Sequence, residues 1–394
     1  MRRIQGTQPY VWVIVACALV AIFYFTAVKL IKEDYPNSDF FSYWLAGHMM
    51  WSGQDPYSTS QWEEGHRQFG ASWISDPTFL YPLPLALFFA PLGLLPLYAA
   101  YVGWVMLLQV MLVIAALLLL FLWANPHWKP YLFPTLAGLA LFRPTLITLL
   151  GGELSGWLLL ISVLVIYCWV QGKWTAGGLL LPLLLLKPNI GLPIVVLLAA
   201  WLGMRRQMGA LAGVVLSSVA LLMIGLALNA HWVQEYLTIG NSKLLQTFGY
   251  SPTLWGLAAY LTGFQPRDSL ILGGLAASAM LGGCFSLLAD QQKNREPAWV
   301  CSLVIATTLL ITPYTWPYDQ LLLVIPIFAL LGDMVNRDSP YLFSASAFIL
   351  LDLLVLGLFA LSMKIQMEVL NGLLPLVLYS FLFYRIKKAP HAIS

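Results

Sequence analysis

Apolar stretches of about twenty residues follow one another along most of this chain, separated by short connectors. An α-helix needs about this length to cross the hydrocarbon core of a membrane. Only 9% of the 394 residues are charged and 60% are hydrophobic, whereas a soluble domain carries about 25% charged residues. The sequence therefore excludes a soluble protein. It predicts an all-α, polytopic membrane protein with about twelve spans, in which residues 1–394 form one integral membrane domain. The apolar windows cover approximately residues 9–31, 79–96, 98–123, 131–150, 155–171, 174–187, 189–203, 208–228, 268–289, 297–312, 317–332, 341–362 and 369–385.

The remaining composition excludes several classes of site. A net charge of +3 is too small to indicate a nucleic-acid partner. The four cysteines have no CxxC spacing and the five histidines have no HExxH spacing, so neither a disulfide framework nor a metal site is expected. A P-loop and a GxSxG elbow are absent as well. We therefore expect no cofactor.

One polar excursion interrupts the apolar pattern. Residues 32–78 hold seven of the seventeen acidic residues against two basic ones. Within this excursion, residues 39–51 read DFFSYWLAGHMMW, with aromatic and apolar residues on all sides, which is typical of a helix lying in the membrane interface. Glycine and the Asp55-Pro56 pair then end that helix. The sequence thus predicts a large outward-facing loop at 32–78 with a juxtamembrane helix at 39–51.

Basic residues set the expected orientation, because short loops rich in Lys and Arg stay on the cytoplasmic side. Both termini should then be cytoplasmic. The first apolar run is too long for a signal peptide and no cleavage site follows it, so we expect a retained first span. The side of the membrane on which Glu153 lies is left undecided. If every apolar window in 79–150 crosses the membrane, Glu153 is on the cytoplasmic side. If one of them is re-entrant, Glu153 is on the outer side. The basic groups expected inside are Arg2, Arg3, Arg205, Arg206, Arg385, Lys387 and Lys388.

Asp39 begins the interfacial helix directly after the expected outer end of the first span. Its carboxylate can therefore sit at the membrane surface and face a cavity between the spans. Two interpretations are open. Asp39 can be an N-terminal cap or a partner of the helix dipole, which Asp often supplies. It can also be a catalytic carboxylate.

Lys187 and Arg143 carry cations within apolar regions. A charge placed there is costly unless it pairs, meets a ligand anion or extends to the interface, so each is a candidate functional group. Both precede a proline, where a helix breaks. A phosphate ligand would suit either residue, and the alternative is a side chain at a hairpin tip that reaches the interface.

Further polar residues stand at the ends of apolar windows. Glu153 follows two glycines and is either an acceptor-binding group or a loop charge. Trp316, Tyr318 and Asp319 place aromatic rings and a carboxylate at an expected membrane–water boundary. Interfacial Trp and Tyr occur in most membrane proteins, so an aromatic belt is the alternative for these rings.

Several short motifs also follow one another in order. The first is DFFSYWLA at 39–46 with GQDPY at 53–57, and the second is FLYPLPLA at 79–86 with APLGLLP at 90–96. GELS at 152–155, Lys187-Pro188 and TPYTW at 312–316 complete the series. Together they resemble glycosyltransferase family 87, a group of GT-C membrane enzymes that includes polyprenyl-phosphate-mannose-dependent mannosyltransferases.

The resemblance implies an inverting transfer of a sugar, with mannose expected, from a polyprenyl-phosphate donor. The acceptor is a lipid or glycan at the outer face of a bacterial-type plasma membrane, and no metal is needed. The chain departs from the family pattern at Glu153, where the family has Gln, and after Trp316, where the family has His, so the reaction class is better indicated than the sugar. The implied roles are Asp39 as catalytic base, Lys187 and then Arg143 as donor phosphate ligands, and Tyr81, Glu153, Trp316, Tyr318 and Asp319 as groups that shape the sugar and acceptor pocket.

A transporter or flippase of lipid-linked sugars is the main alternative. Such a protein would have inverted repeats with half-helices that meet at the midplane. The break at Lys187 fits that pattern loosely, but no second broken segment stands in a matching half. A non-catalytic scaffold would explain the composition but not the polar residues gathered at successive span ends.

Overall fold

The computed structural model describes residues 9–31, 35–74, 76–124, 129–290, 296–335 and 341–388. Every regular element in these ranges is a helix and none is a strand, which confirms the all-α class. Arg2 and Arg3, two of the basic residues expected inside, lie outside the described residues. The described residues form α1 (Pro9–Leu30), α2 (Asp39–Trp51), α3 (Thr59–Gln68), α4 (Leu83–Gly93), α5 (Leu97–Ala124), α6 (Leu132–Leu141), α7 (Arg143–Gly151), α8 (Ser155–Val170), α9 (Trp174–Leu180), α10 (Pro188–Met204), α11 (Met208–Leu228), α12 (Trp232–Thr247), α13 (Leu254–Leu261), α14 (Pro266–Ala289), α15 (Pro297–Ile311), α16 (Val324–Val335), α17 (Tyr341–Ile365) and α18 (Leu373–Lys388).

Five of the segments within the described ranges are long and apolar enough to cross a membrane. A sixth qualifies if α6 and α7, which meet at 61°, count as one bent span. α11 exposes more than half of Val215, Leu216 and Met223, which suits contact with lipid tails. The chain is therefore a membrane protein. The five straight segments are Leu97–Trp123, Met208–Leu228, Pro266–Ala289, Ala347–Ile365 and Glu368–Lys388.

The course of α6 and α7 decides where Glu153 lies. Phe142, at the junction, has an extended ψ of 116°, and Pro144 in the first turn of α7 has no N–H to continue the ladder of α6. α7 therefore starts in a new direction. Near its end, the Tyr101 hydroxyl of α5 donates to the Leu150 carbonyl at 2.8 Å. The chain thus returns to the end of the molecule where α5 begins, and Glu153 lies on the same side as Asp39.

The helices run between two ends of the molecule, which we name the Asp39 end and the Arg385 end. At the Asp39 end, the segment after α15 meets the start of α10, where the Thr312 hydroxyl donates to the Asn189 carbonyl at 2.5 Å. At the Arg385 end, the Arg385 guanidinium lies 2.9 Å from the Asp333 carboxylate and over the Trp299 ring. The polar residues of both ends thus come from helices that are distant in sequence.

Short helices form a cap at the Asp39 end. α2 and α4 pack backbone against backbone, because a Cβ added at Gly47 would lie 2.6 Å from the Phe89 carbonyl carbon. A Cβ at Gly93 would lie 2.5 Å from the His48 nitrogen. With eleven residues, α4 is too short to span a membrane, and it instead holds α2 in place.

Candidate active site

Asp39 is the first residue of α2 and its side chain is exposed. The N-cap position belongs to Ser38, whose backbone is extended and whose hydroxyl donates to the Tyr35 carbonyl at 2.7 Å. Asp39 is therefore not the cap of α2. Its carboxylate lies in the first turn, beside the positive end of the helix dipole.

The turn between α7 and α8 brings Glu153 beneath α2. Gly152 has a φ of +69°, and a Cβ there would lie 2.7 Å from Phe40 Cβ and 2.8 Å from Tyr101 Cε2. Glycine tolerates this positive φ and has no Cβ to clash with Phe40 and Tyr101. The Trp104 indole donates to the Gly152 carbonyl at 2.8 Å and fixes the turn.

Glu153 is fully buried. Its Oε2 accepts a hydrogen bond from the Tyr43 hydroxyl at 3.2 Å, and that hydroxyl lies 3.1 Å from the Tyr81 hydroxyl. Its Oε1 is buried and has no hydrogen-bond partner. A Cβ placed on Gly151 would lie 3.4 Å from Oε1 and 3.6 Å from Asp39 Oδ2, so the two carboxyl groups border the same small space.

Glu153 lies in the α7–α8 turn, outside the spanning segments. Burial, and after it the neighbouring Asp39 carboxylate, raise the pKa of Glu153 well above its ordinary value. Lys187 acts in the opposite direction and Asp319 adds to the rise, both more weakly than burial. Burial therefore favours the protonated form of Glu153.

Lys187 and Asp319 form a buried ion pair close to this turn. The Lys187 ammonium lies 2.5 Å from Asp319 Oδ1, and the two side chains are 2% and 0% exposed. Ser155 donates to the same carboxylate oxygen at 3.2 Å, and the Trp316 backbone N–H donates to Oδ2 at 3.0 Å. The ammonium also lies over the Tyr318 ring, 4.4 Å from its centroid. Lys187 therefore has a counterion within the protein.

A cavity of about 260 Å³ opens beside these groups. Tyr81, Asn189 and Tyr314 line it, and the Asn189 amide donates to the Tyr314 carbonyl at 3.2 Å. A second cavity of about 250 Å³ shares Pro188 and Tyr236 with the first and is otherwise almost wholly apolar. Polar and apolar compartments thus adjoin at the start of α10.

The structure brings most of the predicted site residues together. Asp39, Tyr81 and Glu153 form one group, and Lys187 with Asp319 and Tyr318 forms the next, linked by Ser155. Trp316 is 37% exposed at the edge. The interpretation of Trp316 and Tyr318 as a general aromatic belt does not describe Tyr318, since its ring covers a buried ammonium.

Arg143 does not join this cluster. It stands at the opposite end of α7, eight residues or about 12 Å along the axis from Gly151. Its guanidinium lies 3.7 Å from the centroid of the Phe359 ring.

Three residues of the cluster were missed by sequence reasoning: Tyr43, Ser155 and Asn189. Tyr43 could have been found, because it follows Asp39 by four positions and so shares its helix face. Ser155 and Asn189 gave no such signal, since their partners lie 164 and 125 positions away.

Comparison with known proteins places the chain among membrane enzymes. The sequence model of glycosyltransferase family 87 matches residues 79–313, well over half of the chain, and confirms the resemblance that the motifs predicted. The match includes Tyr81, Glu153 and Lys187 but begins after Asp39 and ends before Trp316. Searches of curated proteins and of solved structures gave no match.

Proposed function

The chain belongs to glycosyltransferase family 87, and on that premise we propose that it transfers a sugar, with mannose expected, from a polyprenyl phosphate to a lipid or glycan hydroxyl. The observation that carries the proposal is the exposed Asp39 carboxylate at the same end of the molecule as a buried ammonium and a partly apolar cavity. Inverting transfer needs these three features: a base, a cation for the departing phosphate and room for a lipid.

In the proposed step the acceptor hydroxyl attacks the anomeric carbon from the face opposite the phosphate. The C–O bond to the phosphate breaks, its electron pair leaves with the polyprenyl phosphate, and the hydroxyl proton passes to Asp39. Asp39 is suited to this role because its carboxylate is exposed and lies in the first turn of α2.

Lys187 is the proposed phosphate ligand. An ammonium has three N–H donors, and Asp319 receives one of them. The others are assigned to a donor phosphate bound at the start of α10, where the neighbouring apolar cavity at Pro188 would receive the first isoprene units. Tyr81, Trp316, Tyr318 and Asp319 shape the sugar and acceptor pocket above the buried Glu153. Arg143 stands at the far end of α7 and is given no part in binding the phosphate.

We place the Arg385 end in the cytoplasm and the Asp39 end at the outer face, with about twelve crossings. Shorter apolar helices such as α8 and α10 run from the Asp39 end in the same way as the longer segments. α10 extends from Pro188 to Met204, about 25 Å, so Arg205 and Arg206, which follow it, fall at the same end as Arg385.

Transfer by purified protein in detergent tests the proposal, with a radiolabelled polyprenyl-phosphate mannose as donor. Asp39→Asn should lower turnover at least 100-fold, because an amide cannot accept the proton. The matched control is Glu64→Gln, an exposed acid on α3 of the same loop, which should leave turnover unchanged. Turnover near the wild-type rate in Asp39→Asn would remove Asp39 from the mechanism. Donor movement across vesicles without any product would favour the transporter.

A further inference from the structure

Glu153 is a buried acid without a substrate-facing surface, which leaves its purpose unexplained by the transfer step. A fully buried carboxyl is costly unless it is neutral or paired. The two carboxyl oxygens of Glu153 differ. Oε2 accepts a hydrogen bond from the Tyr43 hydroxyl, whereas Oε1 has no hydrogen-bond partner. Oε1 borders the same small space as Asp39 Oδ2.

We propose that Glu153 is a protonated acid whose Oε1–H donates a hydrogen bond to Asp39 and so positions the base. This inference rests on the proposed function only for the role of Asp39. A neutral carboxyl has one O–H donor, and Tyr43 already occupies the other oxygen, so the proton belongs on Oε1. Two adjacent carboxyl groups rarely both ionise. A negative charge costs less desolvation energy on the exposed Asp39 than on the buried Glu153.

The arrangement makes Glu153 a positioning residue. Ser38 occupies the N-cap position of α2, so no capping hydrogen bond holds the Asp39 side chain. A hydrogen bond donated by the buried Glu153 would fix the orientation of the Asp39 carboxylate. The proton of Glu153 stays on Glu153 throughout, while the acceptor proton arrives on Asp39. The titratable and charged groups facing Glu153 are Asp39, Tyr43, Tyr81, Tyr101, Lys187, Tyr314, Tyr318 and Asp319.

Kinetic variants separate positioning from packing. Glu153→Gln supplies an N–H in place of the O–H and should keep turnover within a few-fold. Glu153→Leu has similar bulk but no donor, and should lower kcat on the order of 100-fold with little change in KM. Equal losses in both variants, or none in Glu153→Leu, would overturn the proposal.

The pH profile gives a second readout. The neutral form exists below the pKa of Glu153, so activity of the wild type should fall as pH rises through that pKa and the two carboxylates repel each other. An amide does not titrate, so Glu153→Gln should lose this alkaline limb. An alkaline limb that persists in Glu153→Gln would contradict the assignment.

Infrared spectroscopy tests the proton without any assay of activity. At neutral pH the difference spectrum between the wild type and Glu153→Gln should show a protonated carboxyl C=O band, and the difference spectrum between the wild type and the control Glu64→Gln, which alters an exposed acid, should show none. If the band does not depend on Glu153, the proposal fails even if Asp39→Asn is inactive. If the band is lost and Asp39→Asn is active, the positioning contact stands and the transfer mechanism fails.

Discussion

Two ion pairs among the described residues, Lys187–Asp319 at the Asp39 end and Arg385–Asp333 at the Arg385 end, differ in burial. Lys187 and Asp319 at the Asp39 end are 2% and 0% exposed, whereas Arg385 and Asp333 at the Arg385 end are 34% and 24% exposed. Removing two charges fully from water costs several kcal/mol per ion, which attraction barely repays, while a half-exposed pair costs little and gains little. The Asp39 end thus holds a pair that stability alone does not explain, which is expected of a site.

Two glycine turns, one at each end, also differ in how closely they are packed. Gly152 and Gly172 both have positive φ, +69° and +72°. At Gly152 a Cβ would meet Phe40 and Tyr101, but at Gly172, in the α8–α9 turn, it would meet nothing within 4 Å. The turn at the Asp39 end is therefore constrained by packing as well as by backbone conformation.

The largest loss of stability is expected from breaking the buried Lys187–Asp319 pair. Lys187→Met leaves the Asp319 carboxylate buried without its counterion and should lower the free energy of unfolding by about 3–5 kcal/mol. Unfolding in mixed detergent micelles measures this change. The double variant Lys187→Met/Asp319→Leu removes both charges and should recover most of the stability.

That double variant also separates stability from function. If Lys187 binds the donor phosphate, the recovered protein should still bind the polyprenyl-phosphate donor weakly. Donor affinity equal to that of the wild type would remove Lys187 from the site, whatever the stability of the variant.

A smaller loss of stability is expected from substitutions at the two glycine turns. Gly152→Ala should destabilise the protein by about 1–3 kcal/mol and slow transfer, because both strain and the clash with Phe40 displace Glu153. Gly172→Ala is the matched control: it carries the left-handed strain alone, about 1 kcal/mol, and should leave transfer unchanged. Thermal unfolding and turnover of the two variants test the difference, and similar turnover in both would show that the Gly152 turn does not position the site.

The contrast also shows what the sequence could predict. The all-α class and the family follow from properties of single segments, since hydrocarbon forces the backbone into helices and the motifs are short. The pairing of Lys187 with Asp319 joins residues 132 positions apart and could not be predicted from either segment. Asp39 and Glu153 meet because α6 and α7 carry the chain back to the end of the molecule where α5 begins.

The N-cap interpretation of Asp39 illustrates a second limit. Asp is a favoured cap, and the sequence contains a serine directly before it. The choice between neighbouring residues depends on one backbone conformation: Ser38 is extended and Asp39 is helical. Such boundaries shift by a residue or two between equally good patterns.

The smallest effect is expected at the Arg385 end. Arg385→Gln removes the bond to Asp333, yet the pair is partly in water and should contribute no more than about 1 kcal/mol, an amount that falls as salt rises because ions screen exposed charges. The free energy of unfolding of Arg385→Gln should therefore be slightly below that of the wild type at low salt, and this difference should shrink at high salt. Transfer should be unaffected. The buried Lys187–Asp319 pair, which salt cannot reach, should keep its full effect in the same series. A Lys187→Met penalty that shrinks with salt as the Arg385→Gln penalty does would mean that water enters the Asp39 end, and the contrast between the two pairs would be lost.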